Sequence, residues 1–341
     1  MKLKAVASGI LVTSVLAFAA TVAGAQQLNG AGATFPYPIY SRWFSEYSQL
    51  HPNVRINYQP IGSGGGIRQV SDGVVDFGAS DGPMSDQQMA AAKVKVMHIP
   101  TVLGAVVPVY NIPGVNKNLN FSGDVIADIY LGTISKWNDS RITKENPGVN
   151  LPDKAILPVY RSDGSGTTNI FTSYLSKVST AWSTSAGWGK AVSWPVGVGG
   201  KGNEGVAGLV KQISGAIGYV ELAYCNQNKM AVAKLKNKAG NYVAPSIEST
   251  TAAAEGALKR MPEDYKIMIT NAAGENAYPI SGFSWIVVRV NQDDAVKGKA
   301  LVDLLNWVLA TGNSEVSDLY YAPLPDSLID KVKASVATIK Y

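Results

Sequence analysis

Residues 161–168 of the chain read Arg161-Ser162-Asp163-Gly164-Ser165-Gly166-Thr167-Thr168. The two glycines carry no Cβ, so the backbone can take tight dihedral angles and approach a ligand closely. A helix is predicted immediately afterwards, because apolar residues recur at helical spacing at Ile170, Phe171, Tyr174 and Leu175. Unpaired amides and the positive end of the helix dipole favour an anion at such an N-terminus. The segment therefore predicts an oxyanion-binding loop.

Arg161 and Asp163 add charge to this segment. The planar guanidinium of Arg161 matches two oxygens of a phosphate or carboxylate group, and Asp163 is near enough in sequence to orient it. The alternative is an ordinary N-capped helix after a turn, with both charged side chains on the surface. Short Gly/Ser loops occur in many proteins, so this segment alone leaves both interpretations open.

Two further glycine-rich turns lead into helical patterns. The first places Thr34 and Phe35 at the start of a helix, since Pro36 is tolerated only in a first helical turn or before it. The second, at 61–66, follows an alternating strand pattern and contains Ser63. Each of the three turns offers a serine or threonine, which favours one composite anion site over three unrelated turns.

Asp81 ends a short strand pattern, just before the turn at Gly82-Pro83. A carboxylate at a strand end is more often a cap or turn residue than a ligand. The residues themselves leave the role of Asp81 open.

The first 25 residues predict a secretory signal. Lys2 and Lys4 precede an apolar run, and Ala23-Gly24-Ala25 fits cleavage after Ala25. No later stretch has the ~18 apolar residues of a membrane span. We expect a soluble mature protein outside the cytoplasm, and an uncleaved membrane anchor is the alternative. No cysteine follows the cleavage site to carry a lipid.

The remaining 316 residues (341 minus 25) correspond to about two domains at ~100–200 residues each. The single cysteine, Cys225, cannot form an internal disulfide, so packing has to stabilise the fold. The formal net charge is +5, or +3 without Lys2 and Lys4, and the basic residues are spread along the chain. This distribution argues against nucleic acid as a partner, whereas a mild positive balance suits small anions.

Helical and strand patterns alternate and predict an α/β fold. Segment 197–202 matches G-x-G-x-x-G, but Trp194-Pro195 stands where a strand should precede the glycines. We therefore expect a loop ahead of a helix at 204–212 rather than a dinucleotide site. Crossings near 104–110 and 279–285 are expected to join two lobes, with a cleft between them.

Two element boundaries within this arrangement can be predicted from the sequence. The apolar segments 97–99 and 104–110 are predicted as separate strands. A leucine-rich helical stripe near the C-terminus is expected to end at Gly312. The C-terminal segment is then expected to return to the first lobe.

The sequence offers little support for a histidine metal site or a Ser-His-Asp triad. His51 and His98 are the only histidines, they lie far apart, and no G-x-S-x-G motif is present. Backbone amides, hydroxyls and one arginine can hold an oxyanion, but nothing visible would activate a nucleophile. We predict a binding protein that is not an enzyme and uses no metal or cofactor. The alternatives are a secreted phosphatase and a binder of another tetrahedral oxyanion.

Six motifs in chain order resemble the periplasmic phosphate-binding proteins of ABC phosphate importers: Gly30-Ala-Gly-Ala-Thr-Phe-Pro36, Ile61-Gly-Ser63, Asp76-Phe-Gly-Ala-Ser-Asp81, Arg161-Ser-Asp-Gly-Ser-Gly-Thr167, Gly215-Ala-Ile-Gly-Tyr-Val-Glu221 and Leu324-Pro-Asp-Ser327. The resemblance spans essentially the whole mature chain. It implies a two-lobed periplasmic binding protein fold of type II, with lobe I formed by 26–106 and 284–341 and lobe II by 107–283. It also implies a monomer in the periplasm that holds inorganic phosphate between the lobes and delivers it to a membrane ABC permease.

Carried over motif by motif, the resemblance implies these phosphate contacts, with Asp163 holding the arginine: Thr34, Phe35, Ser63, Asp81, Arg161, Ser165, Gly166 and Thr167. The family commonly has Ser-Ser-Gly-Gly where this chain has Ser63-Gly64-Gly65-Gly66, which removes one hydroxyl and predicts a looser loop. Asp81 is expected to act as a selectivity filter. It accepts a hydrogen bond from protonated phosphate but faces only lone pairs on sulfate.

Overall fold

The computed structural model describes residues 26–115 and 117–341. The predicted signal peptide, 1–25, lies outside the described residues. Within the described ranges, no helix is long and apolar enough to cross a membrane.

The secondary structure alternates between strands and helices along most of the chain. Its strands are β1 Gln26–Gly32, β2 Val54–Gln59, β3 Phe77–Ser80, β4 Val96–Tyr110, β5 Asn120–Phe121, β6 Leu157–Arg161, β7 Val198–Gly200, β8 Ala216–Glu221, β9 Ala231–Val232, β10 Lys234–Lys236, β11 Tyr242–Val243 and β12 Ser281–Arg289. Its helices are α1 Tyr37–Leu50, α2 Ser63–Ser71, α3 Asp86–Ala91, α4 Gly123–Leu131, α5 Ser140–Glu145, α6 Gly166–Val178, α7 Thr180–Ser185, α8 Gly202–Gln212, α9 Leu222–Gln227, α10 Ile247–Leu258, α11 Ala295–Trp307, α12 Asn313–Glu315 and α13 Asp326–Val336.

One sheet runs through the molecule in the order β2-β1-β3-β12-β4-β8-β6-β7, and β9 pairs with β4. β1 is parallel to β2 and β3, as required for strands connected by helices on the sheet faces. β4 joins the two halves of this order, because its first part pairs with β12 and Val106–Tyr110 pair with β8. We call the part with β1–β3 and α1–α3 the first lobe, and the part with β6–β8 and α4–α8 the second lobe. The residue boundaries given above for the lobes stay a prediction.

The prediction of two separate strands before Tyr110 was wrong, since β4 is continuous from Val96. β4 contains Pro100, although a proline has no amide hydrogen for a strand ladder. In the structure the register shifts at this point, so that Pro100 pairs with Trp285 and Val102 pairs with Ser284. The extra residue, Thr101, donates its hydroxyl to the carbonyl of Ser284 over 3.1 Å. Proline is tolerated at such a bulge.

The predicted end of the C-terminal helix at Gly312 was also wrong. Helical structure continues as a π-turn at Val308–Gly312, then as α12 and a 3-10 turn at Val316–Leu319. Gly312 lies against Trp43 of α1, whose indole Nε1 donates to the Gly312 carbonyl over 2.9 Å. A Cβ at Gly312 would lie only 2.9 Å from that nitrogen. The glycine therefore allows close packing between the C-terminal region and the first lobe, which agrees with the predicted return of the chain.

The sequence had indicated a loop at 197–202, but part of this segment is a strand. Val198–Gly200 form β7, which pairs in parallel with β6 and ends opposite Arg161. The following helix begins at Gly202, two residues before the predicted start. This pairing places the N-terminus of α8 beside the Arg161 segment.

Candidate functional site

The three glycine-rich turns and Asp81 meet between the lobes. The hydroxyl oxygen of Ser63, the first residue of α2, accepts the N–H of Asp81 over 3.2 Å and the N–H of Gly166 over 3.0 Å. One serine thus joins the first-lobe residues at α2 and β3 to the N-terminus of α6. All eight predicted contact residues are buried: Thr34, Phe35, Ser63, Asp81, Arg161, Ser165, Gly166 and Thr167.

The guanidinium of Arg161 is held by Asp163, as predicted. Nε donates to Oδ1 over 2.8 Å and Nη2 donates to Oδ2 over 2.6 Å, while Nη1 donates to Oγ1 of Thr167 over 3.1 Å. Burial raises the pKa of the Asp163 carboxyl, but Arg161 and the N–H of Gly202 outweigh it and lower the pKa below its usual value. Arginine has five N–H donors and three are used here, so one remains on each terminal nitrogen. These two donors suit a pair of oxyanion oxygens.

The N-terminus of α6 is anchored by packing and by a cap. Phe171 stacks on Tyr219 of β8 with ring centroids 4.2 Å apart, and the Tyr219 hydroxyl lies 2.7 Å from Oγ1 of Thr168. Oγ of Ser165 accepts the Thr168 amide over 3.0 Å. The hydroxyl that could have bound a ligand therefore already caps the helix, and it retains its hydrogen for donation.

Unpaired backbone donors accumulate at the same place. Across 26–115 and 117–341, the amides of Thr34, Phe35, Ser63 and Thr167 have no hydrogen-bond partner. These amides belong to the N-terminal ends of α1, α2 and α6. Three helix N-termini with free amides make a site for negative charge.

Asp81 supplies a carboxyl to this donor-rich site. Its Oδ1 accepts the hydroxyl of Ser284 over 2.8 Å, and its Oδ2 lies 3.4 Å from Oγ of Ser63. Burial raises the pKa of Asp81 to about 7, against the lowering effects of the Ser284 hydrogen bond and the charge of Arg161. The carboxyl can therefore exchange a proton near neutral pH.

The two lobes contact each other around these residues. The N–H of Gly64 donates to the carbonyl of Gly164 over 2.8 Å. We had expected the loop at 63–66 to be loose because it lacks a second serine, but this hydrogen bond holds it at Gly64. Nζ of Lys190 donates to the carbonyl of Pro83 over 2.7 Å, and burial lowers the pKa of Lys190 to about 8. The structure is therefore a closed arrangement of the cleft.

Sequence reasoning did not identify three residues that complete the site. Ser284 lies in β12, Asn203 is in the first turn of α8, and Lys190 is in an irregular segment. The hydroxyl of Ser284 interrupts the apolar run at 283–288, and Asn203 directly follows the glycines of 197–202, so each had a weak local signal. Lys190 had none.

The histidines lie apart from this arrangement. Nε2 of His98 accepts the amide of Met84 over 3.1 Å, and His51 lies against Tyr47 with ring centroids 4.3 Å apart. No group of three or more His, Cys, Asp or Glu residues with metal-binding geometry occurs in the part of the chain that the structure describes.

Comparison with known proteins places the chain in a family. Residues 19–310 match the PBP superfamily domain. The chain is 47% identical over 309 residues to the phosphate-binding protein PstS of Xylella fastidiosa (strain 9a5c), which covers 90% of this chain and 84% of that protein. It is also 47% identical over 315 residues to the phosphate-binding protein PstS of Pasteurella multocida (strain Pm70), covering 92% of this chain and 91% of that protein.

The fold is similar to that of a solved phosphate-binding protein from Stenotrophomonas maltophilia. The TM-score is 0.68 at 20% identity, over 91% of this chain and 94% of that chain. The predicted two-lobed periplasmic binding protein fold is confirmed by this likeness and by the domain match. The chain therefore belongs to the PstS family of phosphate-binding proteins, within the PBP superfamily.

Proposed function

We propose that this protein binds inorganic phosphate with high affinity in the periplasm and delivers it to a membrane ABC permease. The observation that carries the proposal is the buried carboxyl of Asp81, which lies among free helix amides and near Arg161. Such a site suits an anion that also has a proton to share. The relatives at 47% identity are named phosphate-binding proteins, which supports the same ligand.

The proposed contacts are the buried residues at the three helix N-termini together with Asp81 and Arg161: Thr34, Phe35, Ser63, Asp81, Arg161, Ser165, Gly166 and Thr167. Asp163 acts by holding Arg161. Hydrogen bonds to a charged group contribute ~1.5–3 kcal/mol each. The summed contribution of these donors therefore exceeds the ~8 kcal/mol of binding free energy that corresponds to micromolar affinity. The excess offsets the desolvation of a dianion and the closing of the lobes.

In this proposal, selectivity for phosphate over sulfate follows from the number of protons that each anion carries. Phosphate near neutral pH carries a proton that Asp81 can accept or share, whereas sulfate carries none. A charged carboxylate next to sulfate would be repulsive, and a protonated one restores a donor. We therefore assign the rejection of sulfate to Asp81.

Calorimetry on phosphate-stripped protein tests the ligand. Phosphate should bind at micromolar concentration or below, and sulfate should bind far more weakly near pH 8. Absence of heat with phosphate would overturn the proposal. The phosphatase alternative predicts turnover of a phosphomonoester with added divalent metal, which we do not expect.

Location and partner rest on the first 25 residues and on the family. Mass analysis of secreted protein should give Gln26 as the first residue, and retention of Met1 would argue against the periplasm. We propose a monomer that has no nucleic-acid partner and that contacts the permease with its lobes closed.

A further inference from the structure

Asn203, in the first turn of α8, is fully buried and contacts both lobes. Its side-chain nitrogen Nδ2 lies 2.8 Å from Oγ1 of Thr34 and 3.2 Å from Oγ1 of Thr167. Its backbone N–H donates to the same Thr34 oxygen over 3.2 Å. One asparagine side chain therefore donates hydrogen bonds to a hydroxyl in the first lobe and to another in the second lobe.

The orientation of this side-chain amide is fixed by a third group. Oδ1 of Asn203 accepts the backbone N–H of Glu221 over 2.9 Å. A backbone N–H can only donate, so the atom that faces it has to be the amide oxygen. Nδ2 then faces the two threonines, and each of its two hydrogens has one partner.

The two threonine hydroxyls are left with one possible role. A hydroxyl has one hydrogen to donate and two positions that accept. Oγ1 of Thr34 accepts twice from Asn203, and Oγ1 of Thr167 accepts from Asn203 and from Nη1 of Arg161. Within residues 26–115 and 117–341, neither hydroxyl has an acceptor for its own hydrogen. Toward a ligand, both hydroxyls can therefore act only as donors.

We propose that Asn203 is a positioning residue that fixes the hydroxyls of Thr34 and Thr167 as donors, and so makes this part of the site specific for oxyanion oxygens that carry no proton. The inference rests on the proposed phosphate site and adds a residue that is not among its contacts. Asp81 then remains the acceptor for the ligand's proton. The site as a whole selects a tetrahedral oxyanion with a single proton to share.

A double-mutant cycle with Asn203→Ala and Thr167→Val tests this role. Both residues belong to the second lobe, so coupling between them does not report lobe closing. Each single variant should lose about tenfold to a hundredfold in phosphate affinity, because a donor to a charged ligand is lost or misdirected. The double variant should lose at least threefold less than the product of the single losses. A multiplicative loss would overturn the inference.

The pH profile gives a second readout that loss of packing would not change. Phosphate carries mainly one proton at about pH 8 and two at about pH 5.5. In Asn203→Ala the hydroxyls can turn and accept the additional proton, so the loss of affinity should be at least threefold smaller at the lower pH. Titration of Asp81, Asp163 and Glu221 is common to parent and variant and cancels in the ratio. Equal losses at both pH values would contradict the proposal.

Asn237 provides the matched control. It is also a buried asparagine, but within the described residues its side chain bonds to backbone groups alone, including the carbonyls of Gly274, Glu275 and Ala277. Asn237→Ala should lower the thermal unfolding midpoint and leave phosphate affinity within about twofold. An equal loss of affinity in both asparagine variants would assign the effect to stability and overturn the inference. If the parent protein fails to bind phosphate, the proposed function itself fails, which is a separate outcome.

Discussion

Ser284 donates a hydrogen bond of 2.8 Å to Oδ1 of Asp81, although the two residues are 203 positions apart in the chain. The contact is set by the antiparallel register of β12 and β3, in which Trp285 lies opposite Ser80. Burial raises the pKa of Asp81, and this hydrogen bond opposes the rise. The acidity of the proposed filter therefore depends on a strand that comes from the far end of the sequence.

The sulfate affinity of the parent protein should depend on pH. Sulfate has no proton to share, so it binds only when Asp81 is protonated, and the protonated fraction falls about tenfold per pH unit above the pKa. With the pKa of Asp81 at about 7, sulfate affinity should fall about tenfold per unit from about pH 7.5 to 9.5 and level off below pH 7. Competition against labelled phosphate measures it.

Two variants test this assignment. Asp81→Asn provides a neutral amide donor, so its sulfate affinity should be independent of pH and exceed that of the parent about a hundredfold near pH 9. Ser284→Ala removes the opposing hydrogen bond, so the pH at which sulfate affinity begins to fall should move upward. If Asp81→Asn excludes sulfate as the parent does, the filter lies elsewhere.

Replacing Arg161 by lysine should weaken phosphate binding about tenfold or more, with the fold intact. Lysine keeps the positive charge but loses the planar fork that both Asp163 and two oxyanion oxygens require. Calorimetry gives the affinity and a thermal melt gives the fold. Arg141→Lys is the control, because Arg141 is an exposed arginine paired with Asp128. Unchanged affinity in both Arg161→Lys and Arg161→Ala would place the site elsewhere.

Lys190→Met should accelerate phosphate release. The ammonium joins the second lobe to the carbonyl of Pro83 in the first lobe, and the backbone carbonyl of Lys190 accepts the Ser165 amide over 2.8 Å. The substitution removes only the first of these bonds. A charged hydrogen bond of ~1.5–3 kcal/mol predicts a dissociation rate higher by about tenfold or more, measured by stopped-flow tryptophan fluorescence. An unchanged rate would show that this contact does not hold the lobes together.

His98 should make the protein less stable in acid. Burial lowers the pKa of His98 from 6.5 to about 4, so its contribution to stability is present above 6.5 and lost as the pH falls toward 4. Between about pH 7.5 and 4.5 this loss amounts to about 2–3 kcal/mol of unfolding free energy. His98→Gln should lack this loss in urea denaturation, whereas the exposed His51→Gln should retain it. Identical pH dependence in parent and His98→Gln would refute the assignment.

Local sequence patterns predicted the helix N-termini well. Glycine-rich turns ahead of apolar stripes placed Ser63 and Gly166 at helix starts, and they are the first residues of α2 and α6. Thr34 was placed at the start of α1 and lies three residues before it. Arg161 and Asp163 are two residues apart, so their contact was also within reach of local reasoning. These features depend on backbone conformation over a few residues, which the sequence encodes directly.

Contacts between residues far apart in the sequence could not be predicted from local patterns. No local pattern brings Ser284 to Asp81, or Asn203 to Thr34, because strand pairing and lobe packing decide both contacts. The two strands predicted at 97–99 and 104–110 form one strand, because a bulge opposite β12 accommodates the residues between them. Gly312 was interpreted as the end of its helix, whereas its contact with the indole of Trp43 explains the glycine.

Gly64 and Gly164 face each other backbone to backbone across the cleft, and a Cβ on Gly64 would lie 3.2 Å from Cα of Gly164. That distance is tighter than normal packing accepts, so a side chain here would keep the lobes apart by a few tenths of an ångström. The absence of a side chain at both positions therefore allows the two backbones to come this close. Under the proposed function, this close approach would limit the size of the ion that fits between the lobes.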